Sequence, residues 1–290
     1  MTETRRVPGI DGELLECPLW CPREHVLWFV DIVAPALYRH DPATGAVRRY
    51  VMPADIGSFA LAKDGGLIVA LRTGIHRFDP ASGRLALLAA ADYDQKTIRF
   101  NDGRCDRQGR FFVGSMYEPR DGAKGALYRL DPGGRLARVV EGVTIANGLA
   151  FSPDGRIAYF ADSPTRRIWR FDVDLATGAL SNRRPFATLS DAQGRPDGAA
   201  VDAEGGYWVA GIDAGVVHRF RPDGRHDRSV AVPSRWPTMP AFGGADMRDV
   251  YVTSLRHRRP ADQLAASPDS GGLFVFRSDV PGLAEPRYAG

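Results

Sequence analysis

At 290 residues, with 44% hydrophobic and 25% charged side chains, the chain has the make-up of a soluble globular protein with a large core. Its formal charge of +3 is small and its arginines are scattered rather than gathered in a stripe, which argues against nucleic acid as a partner. No apolar run approaches the ~18 residues of a membrane span. The opening MTETRRVPGIDGELLE lacks the apolar stretch of a secretory signal, so no membrane association and a cytoplasmic location are expected.

The expected elements are short strands, and they recur in units. ECPLWCPREHVLWF leads into YRHD at Tyr38 and the turn DPATG. GGLIVAL leads into HRFD at His76 and DPASG, and GRFFVGS into YRLD at Tyr128 and DPGG. GRIAYFAD precedes WRFD at Trp169, GGYWVAG precedes HRFR at His218 and RPDG, and DVYVTSL precedes FVFR at Phe274. Apolar runs bounded by glycine read as buried strands, and Asp-Pro followed by Gly is β-turn chemistry. HRRPADQLAASPDSGG is the best helical candidate, at a turn or two. The units repeat at 38, 52, 41, 49 and 56 residues, each with room for about four strands. That pattern predicts an all-β chain, a six-bladed β-propeller forming one domain over 1–290. Five blades with an irregular tail is the alternative count.

Aligning the units on the glycine before each apolar run exposes a polar column. Eight residues upstream lie Asn101 in RFNDG, Asn147 in TIANG and Asp197 in RPDG, with Glu16 of ECPLW in the first unit. The second unit offers Gly57 or Ser58 there, and the sixth Thr238. Asn-Gly and Asp-Gly are common turn dipeptides, but Glu-Cys-Pro is no standard turn. Equivalent positions of propeller blades face one region, so these four side chains are expected to converge on one mouth of the channel.

Two carboxylates with one or two amide oxygens make a hard oxygen site, suited to Ca²⁺, Mg²⁺ or Mn²⁺; Zn²⁺ and Fe²⁺ also bind such oxygens. Three or four protein ligands leave positions open for water and substrate, the arrangement for Lewis-acid catalysis with a carboxylate as base. No GxSxG elbow is present, and the six histidines lack metal spacing. His76 and His218 occupy the aromatic slot of the repeat and read as structural. Cys105 falls in an apolar strand slot, and Cys17 and Cys21 read as packing; an odd three cysteines without CxxC predict no disulfide framework. Trp20, Trp28, Trp169 and Trp208 fall in strand-like runs and read as blade packing.

ECPLW, RFNDGRCDRQGRFFVGSM, GVTIANGLAFSPDGRIAYFADS, RPDGAAVDAEGGYWVA and the ending GGLFVFRSDVPGLAEPRYAG together resemble the SMP-30/gluconolactonase/LRE family, in order and over nearly the whole chain. The resemblance implies a six-bladed propeller with one divalent cation in its channel and hydrolysis of sugar lactones to aldonic acids. It implies Glu16, Asn147 and Asp197 as cation ligands, with Asp197 also the base. Arg99 and Asn101 would contact the sugar lactone, and Glu118 in GSMYEP is the candidate for a further substrate contact, although Pro119 departs from the acidic pair of some relatives. Two rivals are a lactonase or esterase for non-sugar esters and a Ca²⁺-binding propeller without turnover. A bare ion site does not require the Arg99/Asn101 pair. SRWPTMPAFGG and LRHRRPADQLAASPDS are expected as loops at the channel mouth that set substrate choice.

Overall fold

A computed structural model describes residues 3–290 and shows six four-stranded antiparallel sheets. The first blade comprises Leu15–Cys21, Val26–Asp31, Ala36–His40 and Val47–Val51. The second comprises Ile56–Leu61, Leu67–Leu71, Gly74–Phe78 and Leu85–Ala90, and the third Ile98–Cys105, Phe111–Tyr117, Gly125–Leu130 and Leu136–Val143. The fourth holds Ala146–Phe151, Ile157–Asp162, Arg167–Val173 and Leu180–Thr188, and the fifth Arg195–Val201, Tyr207–Ile212, Val216–Phe220 and His226–Ala231. The sixth takes Pro237–Gly243, Asp249–Ser254 and Gly272–Arg277 from the end of the chain and its outer strand, Arg5–Asp11, from the beginning. The six-bladed count therefore holds. The borrowed outer strand was not anticipated, because RRVPGID carries no copy of the repeat phrase.

That phrase is the third strand of every blade, and the turn after it works as its residues suggest. In DPATG, Asp41 accepts the Ala43 N–H at 2.9 Å and its carbonyl accepts the Gly45 N–H at 2.8 Å, with Gly45 left-handed at φ 76°. DPASG repeats the same pattern at Asp79 and Gly83. The short helix falls at Ala261–Ala266, inside the expected segment. SRWPTMPAFGG is a loop only at its start, because Pro237–Gly243 is the inner strand of the sixth blade. Its two prolines disguise it in the sequence. Both sit in a strand that also breaks register between Pro237 and Met239, where a missing N–H is tolerated.

There is no central core. Alternate side chains of each strand face opposite neighbouring blades, so apolar residues fill six wedges between blades. Trp28 packs towards the second blade with Phe59 and Val69, while the next residue, Phe29, packs towards the sixth with Tyr251 and Val275. Strands buried on both faces read as continuous apolar runs, which is why the periodicity is weak. Each fully buried Phe or Trp contributes on the order of 2–3 kcal/mol. Burial falls off outwards, from wholly buried inner strands to the largely exposed Val47–Val51.

The inner strands surround the axis, and all six break register with their neighbours at the same level. The breaks lie between Glu16 and Leu19, Ile56 and Ser58, Phe100 and Gly103, Asn147 and Ala150, Pro196 and Ala199, and Pro237 and Met239. Bulges of this kind re-aim side chains. They explain the polar column, since every column residue lies in or beside one. They also revise the reading of Glu-Cys-Pro. Cys17 takes φ 50°, the same left-handed region as Gly148 at φ 63°, so the first and fourth blades share one local geometry despite different residues.

Candidate metal and substrate site

Glu16, Asn147 and Asp197 border one chamber of about 100 Å³ at the mouth of the channel, together with Arg99 and Asn101. All five are buried, Glu16 at 8% and Asp197 at 7% exposure. The bulges of the first, third, fourth and fifth blades thus bring together side chains far apart in sequence, as the repeat alignment predicts.

A chain of hydrogen bonds fixes the amides. Arg99 donates to Asn101 Oδ1 at 2.8 Å, and Asn101 Nδ2 donates to Asn147 Oδ1 at 2.7 Å and to the Ala146 carbonyl at 2.9 Å. Asn147 Nδ2 donates to Ser163 Oγ at 2.8 Å, whose hydroxyl donates to the Pro196 carbonyl at 2.7 Å. Because the Ser163 proton is committed to Pro196, Ser163 can only accept from Asn147. The Asn147 amide is thereby oriented, its oxygen accepting from Asn101 with one lone pair to spare, and the chain ends one residue before Asp197.

The carboxylates are treated differently. Glu16 accepts a single hydrogen bond, from the Cys17 N–H at 3.2 Å, and Asp197 accepts none among the described residues. Burial, then the charges of Asp197 and Asp102, holds the Glu16 carboxyl well above its ordinary range. Burial and then Asp102 push Asp197 up to about 7, against the weaker opposing pull of Arg195. Two buried acids that repel each other and have one donor between them are costly unless a cation joins them. Among the described residues no three His, Cys, Asp or Glu side chains converge. The two carboxylates and the Asn147 amide oxygen together are hard oxygen donors of the kind a divalent ion takes.

Glu118 stands farther out. Its carboxylate pairs with Arg72 at 2.9 Å and lies 3.7 Å from Arg99, and it borders an outer vestibule of about 400 Å³. The vestibule shares Arg99, Arg120 and Arg259 with the inner chamber. Thr238 and Ser58, the other column positions, do not border the chamber; Thr238 ties the sixth blade to the first through the Leu15 carbonyl at 2.6 Å.

Sequence reasoning passed over several residues here. Ser163 sits just past the second strand of the fourth blade, outside the repeat column, and no repeated phrase flags it. Asp102 was eclipsed by Asn101, because the column takes one residue per blade whereas the bulge presents two. It accepts the Leu149 N–H at 2.8 Å, and burial raises it to about 6 against the pull of Arg104. Arg120 comes from a loop whose sequence carries no motif, whereas Arg258 and Arg259 belong to LRHRRPADQLAASPDS, the segment expected at the channel mouth. The cysteines are inert packing, as expected: burial, then Asp102, pushes the Cys17 thiol up to about 12. His218 is structural, bonded to Ser229 and to the Gln193 carbonyl.

No helix is long and apolar enough to cross a membrane. Residues 14–256 match the family model described as the SMP-30/Gluconolactonase/LRE-like region. The chain is 46% identical over 288 residues to a 6-deoxy-6-sulfogluconolactonase of Pseudomonas putida, covering 98% of this chain and 97% of the relative. It is 37% identical to regucalcin of Homo sapiens, covering 95% and 94%. Among solved structures, the regucalcin of Agrobacterium tumefaciens, described as a calcium-binding protein, superposes with a TM-score of 0.95 at 30% identity over 100% of this chain and 98% of that one. With its six-sheet ring, its polar channel mouth and these relatives, the chain belongs to the SMP-30/gluconolactonase/LRE-like family.

Proposed function

We propose that this chain hydrolyses sugar lactones to aldonic acids with the aid of one divalent cation held by Glu16, Asn147 and Asp197. The observation that carries the reading is the pair of buried carboxylates, Glu16 with a single long hydrogen bond and Asp197 with none among the described residues, beside an oriented amide oxygen, with Arg99 and Asn101 alongside. A cation bound there would supply Lewis-acid polarisation of the lactone carbonyl. The description of the Agrobacterium relative as calcium-binding supports Ca²⁺ first, and the oxygen donors also suit Mg²⁺ or Mn²⁺. The curated relatives support a lactone substrate, and the sulfo group in the name of the Pseudomonas relative puts sulfonated lactones in the panel to be tested.

The residues of the chain divide the remaining work. Asp197 accepts a proton from the attacking water as the new C–O bond forms, and returns it to the ring oxygen as the ring C–O bond breaks. Arg99 donates hydrogen bonds to the ring hydroxyls through its remaining N–H groups, Asn101 accepts one at its Oδ1 because both of its amide hydrogens are engaged, and Glu118 accepts one from the outer part of the sugar. The apolar rim of Leu14, Met116, Ile145 and Leu255 limits the entry of bulk water.

The test is acid release from a panel of aldonolactones, before and after exhaustive chelation. Release that disappears with chelator and returns with Ca²⁺, Mg²⁺ or Mn²⁺ is expected. Turnover indifferent to chelation would reject the cation. Cation binding with no release from any lactone would make the chain a binding protein.

A further inference from the structure

The outer vestibule carries more positive charge than its own acids balance. Arg99, Arg120, Arg195, Arg258 and Arg259 border the two chambers. Arg195 is paired with Asp213 at 2.8 Å, and Arg99 has Glu118 nearby. Arg120, Arg258 and Arg259 are different. Among the described residues, none of these three side chains makes an ion pair or a hydrogen bond.

They come from two separate loops, one after Phe111–Tyr117 in the third blade and one before Ala261–Ala266 in the sixth. The backbone is left-handed at both Arg120, φ 62°, and Arg258, φ 55°, a conformation that side-chain-bearing residues rarely hold. Arg259 lies over the Trp236 ring at 5.0 Å, and its Nε is buried without a partner. Burial, then the charges of Arg195 and Arg258, lowers the Arg120 guanidinium from its ordinary value. Like charges gathered without counter-ions raise the energy of the empty mouth, and an anion entering it removes that cost. The acids within reach are already engaged: Glu118 with Arg72, Asp213 with Arg195, and Glu16 and Asp197 as the candidate cation pair.

Guanidinium groups present planar N–H forks that match groups bearing two or three anionic oxygens. We propose that Arg120, Arg258 and Arg259 form a binding site for an oxyanion carried by the substrate, a sulfonate, phosphate or carboxylate at the end of the sugar lactone remote from its carbonyl. The proposal rests on the lactonase reading above and adds to it the charge of the substrate and the residues that read that charge. The carbonyl lies among Glu16, Asn147 and Asp197, the ring beside Arg99, and the anion in the vestibule.

The experiment compares glucono-1,5-lactone with lactones bearing a sulfonate or phosphate at carbon six, or a carboxylate in its place, using the cation-loaded full chain. Wild-type protein is expected to prefer at least one charged lactone by tenfold or more in kcat/KM. Arg259→Gln and Arg258→Gln should each cut that preference fivefold or more, chiefly through KM. Arg258 is exposed, so its variant tests the site without risk to folding. The three charged arms identify which anion is read. A preference within twofold of unity for all three anions, or one that survives both substitutions, overturns the site while leaving the lactonase reading intact. If no lactone is opened, that reading fails, and calorimetry with gluconate and 6-phosphogluconate decides the site instead. Tighter binding of the doubly anionic acid that is lost in Arg259→Gln upholds it, and equal binding of the two acids overturns it.

Discussion

Asp197 and Asp202 belong to the same strand–turn segment of the fifth blade, yet they are buried on opposite terms. Asp202 is fully enclosed and saturated with donors. It accepts the Glu204 and Gly206 N–H groups at 3.0 and 2.8 Å, the Trp208 indole at 2.8 Å and the Arg219 guanidinium at 2.8 Å. Asp106 of the third blade repeats the device, with the Gln108 and Arg110 N–H groups and the Arg110 side chain. Asp197 has no such partner. An acid placed to stabilise the fold is surrounded by the fold's own donors, whereas an acid placed for chemistry is left for something that arrives. Burial alone does not separate the two, and the donor count does.

The largest effect should come from Asp197→Asn, which keeps the shape and removes the proposed base. A fall in kcat of about 10³-fold is expected in cation-loaded protein, with the far-ultraviolet spectrum unchanged. Near-normal kcat would remove Asp197 from the proton transfers. The same variant exposes the stability cost of the empty site. Without divalent cations, the folded value of about 7 lies above the unfolded value of about 3.9, so the native state holds an extra proton between them. Its contribution is therefore full below about pH 4 and is lost as the pH rises through about 7. Chelated wild-type protein should lose stability to denaturant between pH 5 and pH 8, and Asp197→Asn should flatten that fall by about 2–4 kcal/mol. An equally steep fall in the variant would show that the carboxyl is not strained.

Asp202→Ala is the opposite experiment. It leaves Arg219 and the Trp208 N–H without their shared acceptor, and a loss of about 3–5 kcal/mol in unfolding free energy is expected. At a temperature where the variant remains folded, kcat should stay within about twofold, because nothing in the chamber touches Asp202. A large kcat defect would erase the distinction between the two acids. Ser163→Ala probes the smaller matter of orientation. It frees the Asn147 amide to turn its nitrogen inward, and a 10–100-fold loss of cation affinity is expected by calorimetry. Ser163→Thr, which keeps the hydroxyl, should recover most of it. No loss in Ser163→Ala would mean that Asn101 alone fixes the amide.

The fold was legible because the third strand of each blade repeats nearly the same words. The column was legible because bulges fall at one level in all six inner strands, so counting back from a turn glycine lands on equivalent places. Counting fails wherever the site draws on residues outside that period. Ser163 acts from beyond its strand, and Asp102 is the second residue of a bulge from which the column took the first. Arg120 and Arg259 enter on loops of unequal length, where no register exists to extrapolate. Arg5–Asp11 escaped because its place is set by the partner strand Gly272–Arg277, some 260 residues away, and not by any phrase of its own.

That borrowed strand has a further consequence for how the molecule is made. Glu16 follows the clasp by only a few positions, while the clasp's partner lies some 260 residues farther along the chain. A growing chain can shape the middle blades as it emerges, but the ring stays open until Gly272–Arg277 has been made. On the proposed reading, the cation pocket is completed only when that strand arrives, and a product cut short before Gly272–Arg277 would leave Glu16 beside an unfastened strand.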